Sequence, residues 1–95
     1  MPAGYIIANV NVTNPAQYEE YRKFSTAAMK AHGAEPIVRG GRQQILEGQF
    51  APRTVVLKFA SYEAALAFYE TPEYRQAREA RAGAAVMNML CVEGA

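Results

Sequence analysis

The sequence contains only one cysteine and one histidine in 95 residues. The single cysteine, Cys91, excludes an internal disulfide, so a reducing interior suits the chain. We interpret Cys91 as a small buried hydrophobe. Because cysteine and histidine form no cluster, nothing in the sequence supports a structural zinc site, and we expect neither a metal nor another cofactor.

An excess of charge of one sign and long apolar runs are also lacking. The formal net charge is +1 at pH 7, which provides no basic face for nucleic acid or for an acidic membrane. No stretch approaches the ~20 apolar residues of a membrane span, and the first residues, MPAGYIIANV, lack the features of an export signal. The sequence therefore predicts a cytoplasmic protein that binds neither nucleic acid nor membrane.

Hydrophobic residues make up 51% of the chain, which is enough for a packed core in one domain over residues 1–95. Periodicity and turn residues predict its strands and helices. The predicted strands are Tyr5–Val12, Glu35–Arg39, Arg42–Glu47, Arg53–Ala60 and Ala85–Glu93, and the predicted helices are 15–32, 62–70 and Glu73–Ala82. Asn14, Ser61 and Thr71 are suited to cap the three helices.

The order of these elements is βαββαβ, with Glu35–Arg39 and Arg42–Glu47 as two parts of one second strand and a break at Pro72 in the second helical stretch. This order predicts a ferredoxin-like α+β domain, in which a four-stranded antiparallel sheet carries its helices on one face.

The sheet face without helices is too apolar for water. Alternation places Tyr5 and Ile7 on that face of the first strand and Val56 on that face of the third. The last strand is apolar on both sides, with Val86, Leu90 and Val92 on one and Met87, Met89 and Cys91 on the other. Since a solvated antiparallel face should be polar, we expect a homodimer that packs sheet against sheet.

Four stretches resemble one protein family over nearly the whole chain: GYIIANVNVTNPAQYEEY, PIVRGGRQQILEG, PRTVVLKFASYEAALAFYETPEYRQAREAR and VEG. The family is domain of unknown function 1330, and the resemblance implies a dimeric α/β barrel, two ferredoxin-like sheets around a shared interior. The sequence departs from the family at Ala60, often Pro, at Phe68, often Trp, and near Asn88, where an acidic residue is common. The last departure weakens any chemistry that needs a carboxylate on the final strand.

The glycine pair Gly40-Gly41, between Arg39 and Arg42, has three interpretations. A bulge would bend the second strand and re-aim its side chains, and a type I′ hairpin would use positive φ twice. A phosphate cradle lacks the helix that should follow it. We favour the bulge, because EGQFAPR (47–53) already supplies the turn that the sheet needs.

Arg39 is the first candidate for binding a small anionic ligand, because its planar guanidinium matches a carboxylate or phosphate. We expect Gly40 and Gly41 to position it in the same site. The alternative is a salt bridge from Arg39, either within the chain, to Glu47, Glu70 or Glu73, or across the dimer.

His32 is the natural acid or base near neutral pH, provided that it faces the same cavity as Arg39. Otherwise it caps a helix C-terminus, where a cation is favoured. Tyr69 and Tyr74, on either side of Pro72, are candidates for lining the pocket, with Tyr69 a further catalytic candidate. Arg81 is the arginine of the last helix expected to turn inward and contact a ligand.

Two functions remain open from the sequence. The first is a small cofactor-independent enzyme acting on a small anionic or aromatic organic molecule, with Arg39 holding the anion and His32 or a tyrosine moving a proton. The alternative is a non-catalytic ligand-binding or accessory domain that uses the same pocket. The sequence contains no acid–base pair at a spacing diagnostic of catalysis, so it does not favour one of these two functions over the other.

Overall fold

Strand β1 (Gly4–Val12) lies inside a four-stranded antiparallel sheet in the computed structural model, which describes residues 2–95. The elements that follow are α1 (Pro15–His32), β2 (Glu35–Arg39), β3 (Arg53–Phe59), α2 (Tyr62–Tyr69), α3 (Pro72–Ala80) and β4 (Ala85–Glu93). The strand order is β2-β3-β1-β4. This arrangement confirms the predicted ferredoxin-like α+β fold.

The helices begin at the predicted capping residues. The Asn14 side chain accepts a hydrogen bond from the backbone N–H of Gln17 at 3.2 Å, and the Ser61 hydroxyl accepts one from Ala64 at 3.1 Å. Such caps satisfy backbone donors that have no partner inside the helix. Helix α1 ends at Gly33, whose φ of 69° is the left-handed conformation that glycine adopts freely.

The core lies between the sheet and the helices. It is formed by alternate residues of β1 and β3 and by one face of each helix: Ile6, Ala8, Val10, Leu57, Phe59, Tyr18, Tyr21, Ala28, Met29, Ala65, Phe68, Tyr74 and Ala77. Ser25 shares the buried face of α1. His32, whose helical spacing from Tyr18, Tyr21, Ser25 and Ala28 would place it on the same face, is exposed. No helix within residues 2–95 is long and apolar enough to cross a membrane.

The predicted strand Arg42–Glu47 is wrong. Strand β2 ends at Arg39, and residues 40–52 form an irregular exposed connection to β3. The bulge interpretation of the glycine pair is therefore also wrong, and the pair is not a two-residue hairpin tip. The irregular register of the second strand lies instead between Pro36 and Val38. Gly40 ends the strand, because its φ of 70° turns the chain away from β3. Its N–H still donates a hydrogen bond to the carbonyl oxygen of Thr54 at 2.9 Å.

Residues 40–52 have no strand with which to pair, because β3, the neighbour of β2, begins only at Arg53. Its backbone is held by side chains instead. Asn9 accepts a hydrogen bond from Ala51 N at 2.6 Å and donates one to Ala51 O at 3.1 Å, and Gln43 donates to the same carbonyl at 2.8 Å. Local β-propensity therefore does not make a strand where no neighbouring strand can pair with it.

The sheet face opposite the helices carries a group of apolar residues among polar ones such as Asn9, Thr54 and Lys58. We call it the open face; its apolar residues are Tyr5, Ile7, Val38, Val56, Val86, Leu90 and Val92. The register sets Ile7 opposite both Val56 and Leu90, so that these three form one row. In the single chain Val86 is 60% exposed and Leu90 55%.

Candidate functional site

A cavity of about 40 Å³ lies between α1 and the helix-covered face of the sheet. Its lining is mostly apolar or phenolic: Ile6, Ala8, Val10, Val55, Leu57, Met29, Met87, Met89, Tyr18, Tyr21, Tyr74 and Ser25. A cavity of roughly 150 Å³ is known to hold benzene, so an organic ligand must displace side chains here. The three methionines can move, because their unbranched side chains adapt easily.

All the charged residues lining the cavity are arginines: Arg22, Arg39 and Arg53. Arg39 donates a hydrogen bond to Thr26 Oγ1 at 3.0 Å, and Nε of Arg53 is buried without a partner among the described residues. Arg22 pairs with Glu19 at 3.2 Å, on the exposed side of α1. The cavity therefore carries positive charge that no lining carboxylate compensates.

Sheet register brings Arg39 and Arg53 together. Arg39 lies opposite Val55 in the β2–β3 ladder, and Arg53 precedes Val55 by two positions on β3. Because side chains alternate along a strand, both arginines project from the helix-covered face at the same end of the sheet. A side chain on Gly40 would collide with the Arg53 guanidinium, so glycine at this position lets Arg53 lie against the backbone.

The predicted salt bridges of Arg39 within the chain do not form among residues 2–95. Glu70 pairs with Arg75 at 3.2 Å, and Glu73 pairs with His32 at 2.6 Å. Arg39 therefore keeps its charge available at the cavity.

Two phenols meet inside the cavity. The hydroxyls of Tyr21 and Tyr74 are 2.8 Å apart, and both residues are buried. Burial raises the pKa of Tyr21 and the pKa of Tyr74 above the ordinary value of 10.0. Both groups therefore stay protonated at neutral pH, and they can donate hydrogen bonds but cannot act as bases there.

The structure separates His32 from this cavity. Nε2 of His32 lies 2.6 Å from Oε1 of Glu73, which joins the end of α1 to the start of α3. The hydrogen bond from His32 is the main cause that holds the pKa of Glu73 below its ordinary value of 4.5. His32 does not line the cavity with Arg39, so the stated condition for its role as an acid or base is not met.

The other predicted site residues are distributed over two places. Tyr74 lines the cavity, whereas Tyr69 lines a surface depression between α2 and β4 and lies under the guanidinium of Arg78 at 4.1 Å. Arg81 turns inward and its guanidinium lies 5.5 Å from the centre of the Tyr21 ring. Neither Gly40 nor Gly41 lines the cavity.

Sequence reasoning missed Tyr21 and Arg53 as site residues, although a signal existed for each. Tyr21 has helical spacing with the apolar or small residues Tyr18, Ser25 and Ala28, which marks a buried face of α1. Arg53 alternates in step with Val55 and Leu57 on β3, so it lies on the same side of the strand. No group of three or more His, Cys, Asp or Glu side chains in residues 2–95 is placed to hold a metal ion.

A sequence profile described as a domain of unknown function (DUF1330) matches residues 3–95. The chain belongs to the DUF1330 family. This confirms the resemblance drawn from the quoted motifs. No curated protein matches this DUF1330 chain in sequence.

Solved structures share the fold of this DUF1330 protein. A protein of unknown function from Rhodopseudomonas palustris superposes with a TM-score of 0.75 at 16% identity, over 99% of this chain and 83% of that one. SnoaB, a cofactor-independent oxygenase from Streptomyces nogalater, gives 0.62 at 12% identity, over 97% and 92%. A dimeric protein of unknown function with a ferredoxin-like fold, from Bacteroides fragilis, gives 0.61 at 10% identity, over 97% and 95%. At these identities the likeness shows the fold alone.

Proposed function

We propose that this DUF1330 protein binds a small organic anion in the cavity between α1 and the sheet. The observation that carries the proposal is the lining of that cavity, which is apolar and phenolic except for three arginines. A carboxylate would accept paired hydrogen bonds from the guanidinium groups of Arg39 and Arg53, and its apolar body would lie among the methionines and tyrosines.

A thermal-shift comparison of benzoate with its neutral relative benzamide tests this proposal. Benzoate should raise the melting temperature by mass action, and benzamide should not. Arg39→Ala should melt near the wild-type temperature without ligand but lose the response to benzoate. Arg75→Ala, which removes an exposed arginine outside the cavity, is the matched control and should respond like the wild type. An unchanged benzoate response in Arg39→Ala would contradict the proposal.

Cofactor-independent turnover of the bound anion is the second candidate function. The buried pair Tyr21 and Tyr74 favours it, because two protonated phenols beside a ligand can donate hydrogen bonds to an oxygen that gains charge during a reaction. The shared fold with a cofactor-independent oxygenase is an analogy that supports it less strongly.

Product analysis separates turnover from binding. Hydroxylated benzoates are incubated in air with the purified protein and no added cofactor. An enzyme should form several product molecules per chain, and Tyr74→Phe should stop product formation. Stabilisation by these compounds without any product would identify a non-catalytic binding protein.

The proposed working form is a homodimer that covers the open face with a second copy. The row in which half-buried Ile7 adjoins exposed Leu90 supports this assembly, because an uncovered apolar face of this kind marks an interface. The Bacteroides fragilis protein of the same fold is described as dimeric. A reducing compartment suits a chain with one cysteine, and we propose that the dimer works in the cytoplasm.

A further inference from the structure

Two strong hydrogen-bond donors converge on a weak acceptor at one end of the cavity. The Tyr74 hydroxyl lies 3.7 Å from Sδ of Met89, and Nη2 of Arg81 lies 3.9 Å from the same sulfur. A thioether sulfur accepts hydrogen bonds only weakly. The sulfur is therefore a poor acceptor for both donors.

Neighbouring groups satisfy these donors only in part. Tyr21 and Tyr74 share one O–H between their oxygens, which leaves the second O–H for a third group. Nε of Arg81 is buried and has no hydrogen-bond partner within residues 2–95. The ion pairs of the same residues engage Arg22, Lys23, His32 and Arg75, and none engages Arg81. A buried donor without a good acceptor is costly, so a ligand oxygen would be bound strongly here.

We propose that Tyr74 and Arg81 form a subsite for a ligand oxygen, which replaces the sulfur of Met89 as their acceptor. This inference rests on the proposed function, because the same ligand would place its carboxylate at Arg39 and Arg53. It narrows the ligand class to carboxylates with a hydroxyl or carbonyl oxygen remote from the acid group.

Met89 can make room for such an oxygen. Its side chain lines both the cavity and the neighbouring depression, which is also lined by Tyr69 and Cys91. Rotation of this flexible side chain towards the depression would enlarge the cavity at the Tyr74 hydroxyl. Burial raises the pKa of Tyr74, so its hydroxyl keeps the proton that it donates.

Calorimetric titration of the full chain with benzoate and 4-hydroxybenzoate tests the subsite, because the two acids differ only by one hydroxyl. Wild type should bind 4-hydroxybenzoate about tenfold more tightly, the size of one good hydrogen bond. Tyr74→Phe should reduce this preference and bring the ratio of the two dissociation constants closer to one, with Arg81 as the remaining donor. Arg39→Ala should weaken both acids and leave their ratio unchanged.

The outcomes separate the subsite from the proposed function. If wild type binds neither acid, both are overturned. If it binds both acids equally, or if Tyr74→Phe keeps the tenfold preference, only the subsite is overturned. Arg81→Met leaves the Tyr74 hydroxyl in place and serves as the second variant if Tyr74→Phe does not fold. It should reduce the same preference, and an undiminished preference would contradict the subsite.

Discussion

At the scale of single residues, Gly40 and Gly41 are adjacent but not equivalent. Gly40 has a φ of 70°, and a side chain there would meet the Arg53 guanidinium. Gly41 is not among the residues with positive φ and has open space around its Cα. The same substitution at the two positions therefore separates backbone strain from the general effect of a side chain.

Gly40→Val should destabilise the protein by about 1–3 kcal/mol, because a β-branched residue is strained at positive φ and displaces Arg53. Gly41→Val should stay within about 0.5 kcal/mol of wild type. Urea unfolding followed by circular dichroism measures both free energies. Equal losses of unfolding free energy in the two variants would show that the positive φ of Gly40 is not the cause of the destabilisation.

The pair of His32 and Glu73 should make stability depend on pH. Folding lowers the pKa of Glu73 below its ordinary value of 4.5. Its contribution to the stability of the fold is therefore fully present above pH 4.5 and is lost as the pH falls through the folded pKa. Glu73→Gln should therefore destabilise the protein at neutral pH, and its difference from wild type should shrink at about pH 3. Denaturant unfolding across this range measures the difference. Glu79→Gln, at an exposed position near the other end of α3, is the control and should show no such trend.

At the scale of elements, the start of α3 determines where Tyr74 lies. The Thr71 hydroxyl accepts a hydrogen bond from Tyr74 N at 3.2 Å and donates one to Phe68 O at 2.8 Å. It therefore caps α3 and also ties the new helix to the end of α2. Pro72 follows at the first helical position, where its missing N–H costs nothing.

Thr71→Ala should destabilise the protein by about 1 kcal/mol, the typical loss of a helix cap. Thr71→Ser keeps the hydroxyl and should remain close to wild type. Thermal unfolding of the two variants measures the difference. A serine variant as unstable as the alanine variant would indicate that the methyl group, not the cap, stabilises this junction.

At the scale of the whole molecule, the open face is the feature with the largest consequence. It leaves a continuous apolar row at the centre of the sheet, whereas the helix-covered face is buried. The proposed dimer removes this row from water, which is the main favourable term in protein association.

The mass in solution at micromolar concentration should be twice the chain mass of 10.4 kDa. Ile7→Lys should give monomers or aggregates, because the dimer would bury an unpaired charge. Ala27→Lys, at an exposed position on α1, should leave the mass unchanged. Light scattering after size-exclusion chromatography measures all three proteins. A wild-type monomer that stays soluble at that concentration would end the dimer proposal.

Much of the fold follows from local patterns. The bounds of β4, the start of β2, the caps at Asn14, Ser61 and Thr71, and the alternation that places apolar residues on the open face could all be read from the sequence. These features depend on a few consecutive residues, whose backbone preferences and side-chain periodicity are set locally.

The tertiary structure alone decided the candidate site. Arg53 meets Arg39 through the register of β2 on β3, and His32 meets Glu73 through the packing of α1 on α3. The stretch Arg42–Glu47 has strand-like composition but no neighbour with which to pair. Such contacts join residues far apart in the chain, and their energies depend on geometry that no local pattern contains. The sequence by itself therefore determined most of the elements and their apolar faces, whereas packing and register decided where β2 ends and which charged and phenolic groups share the cavity.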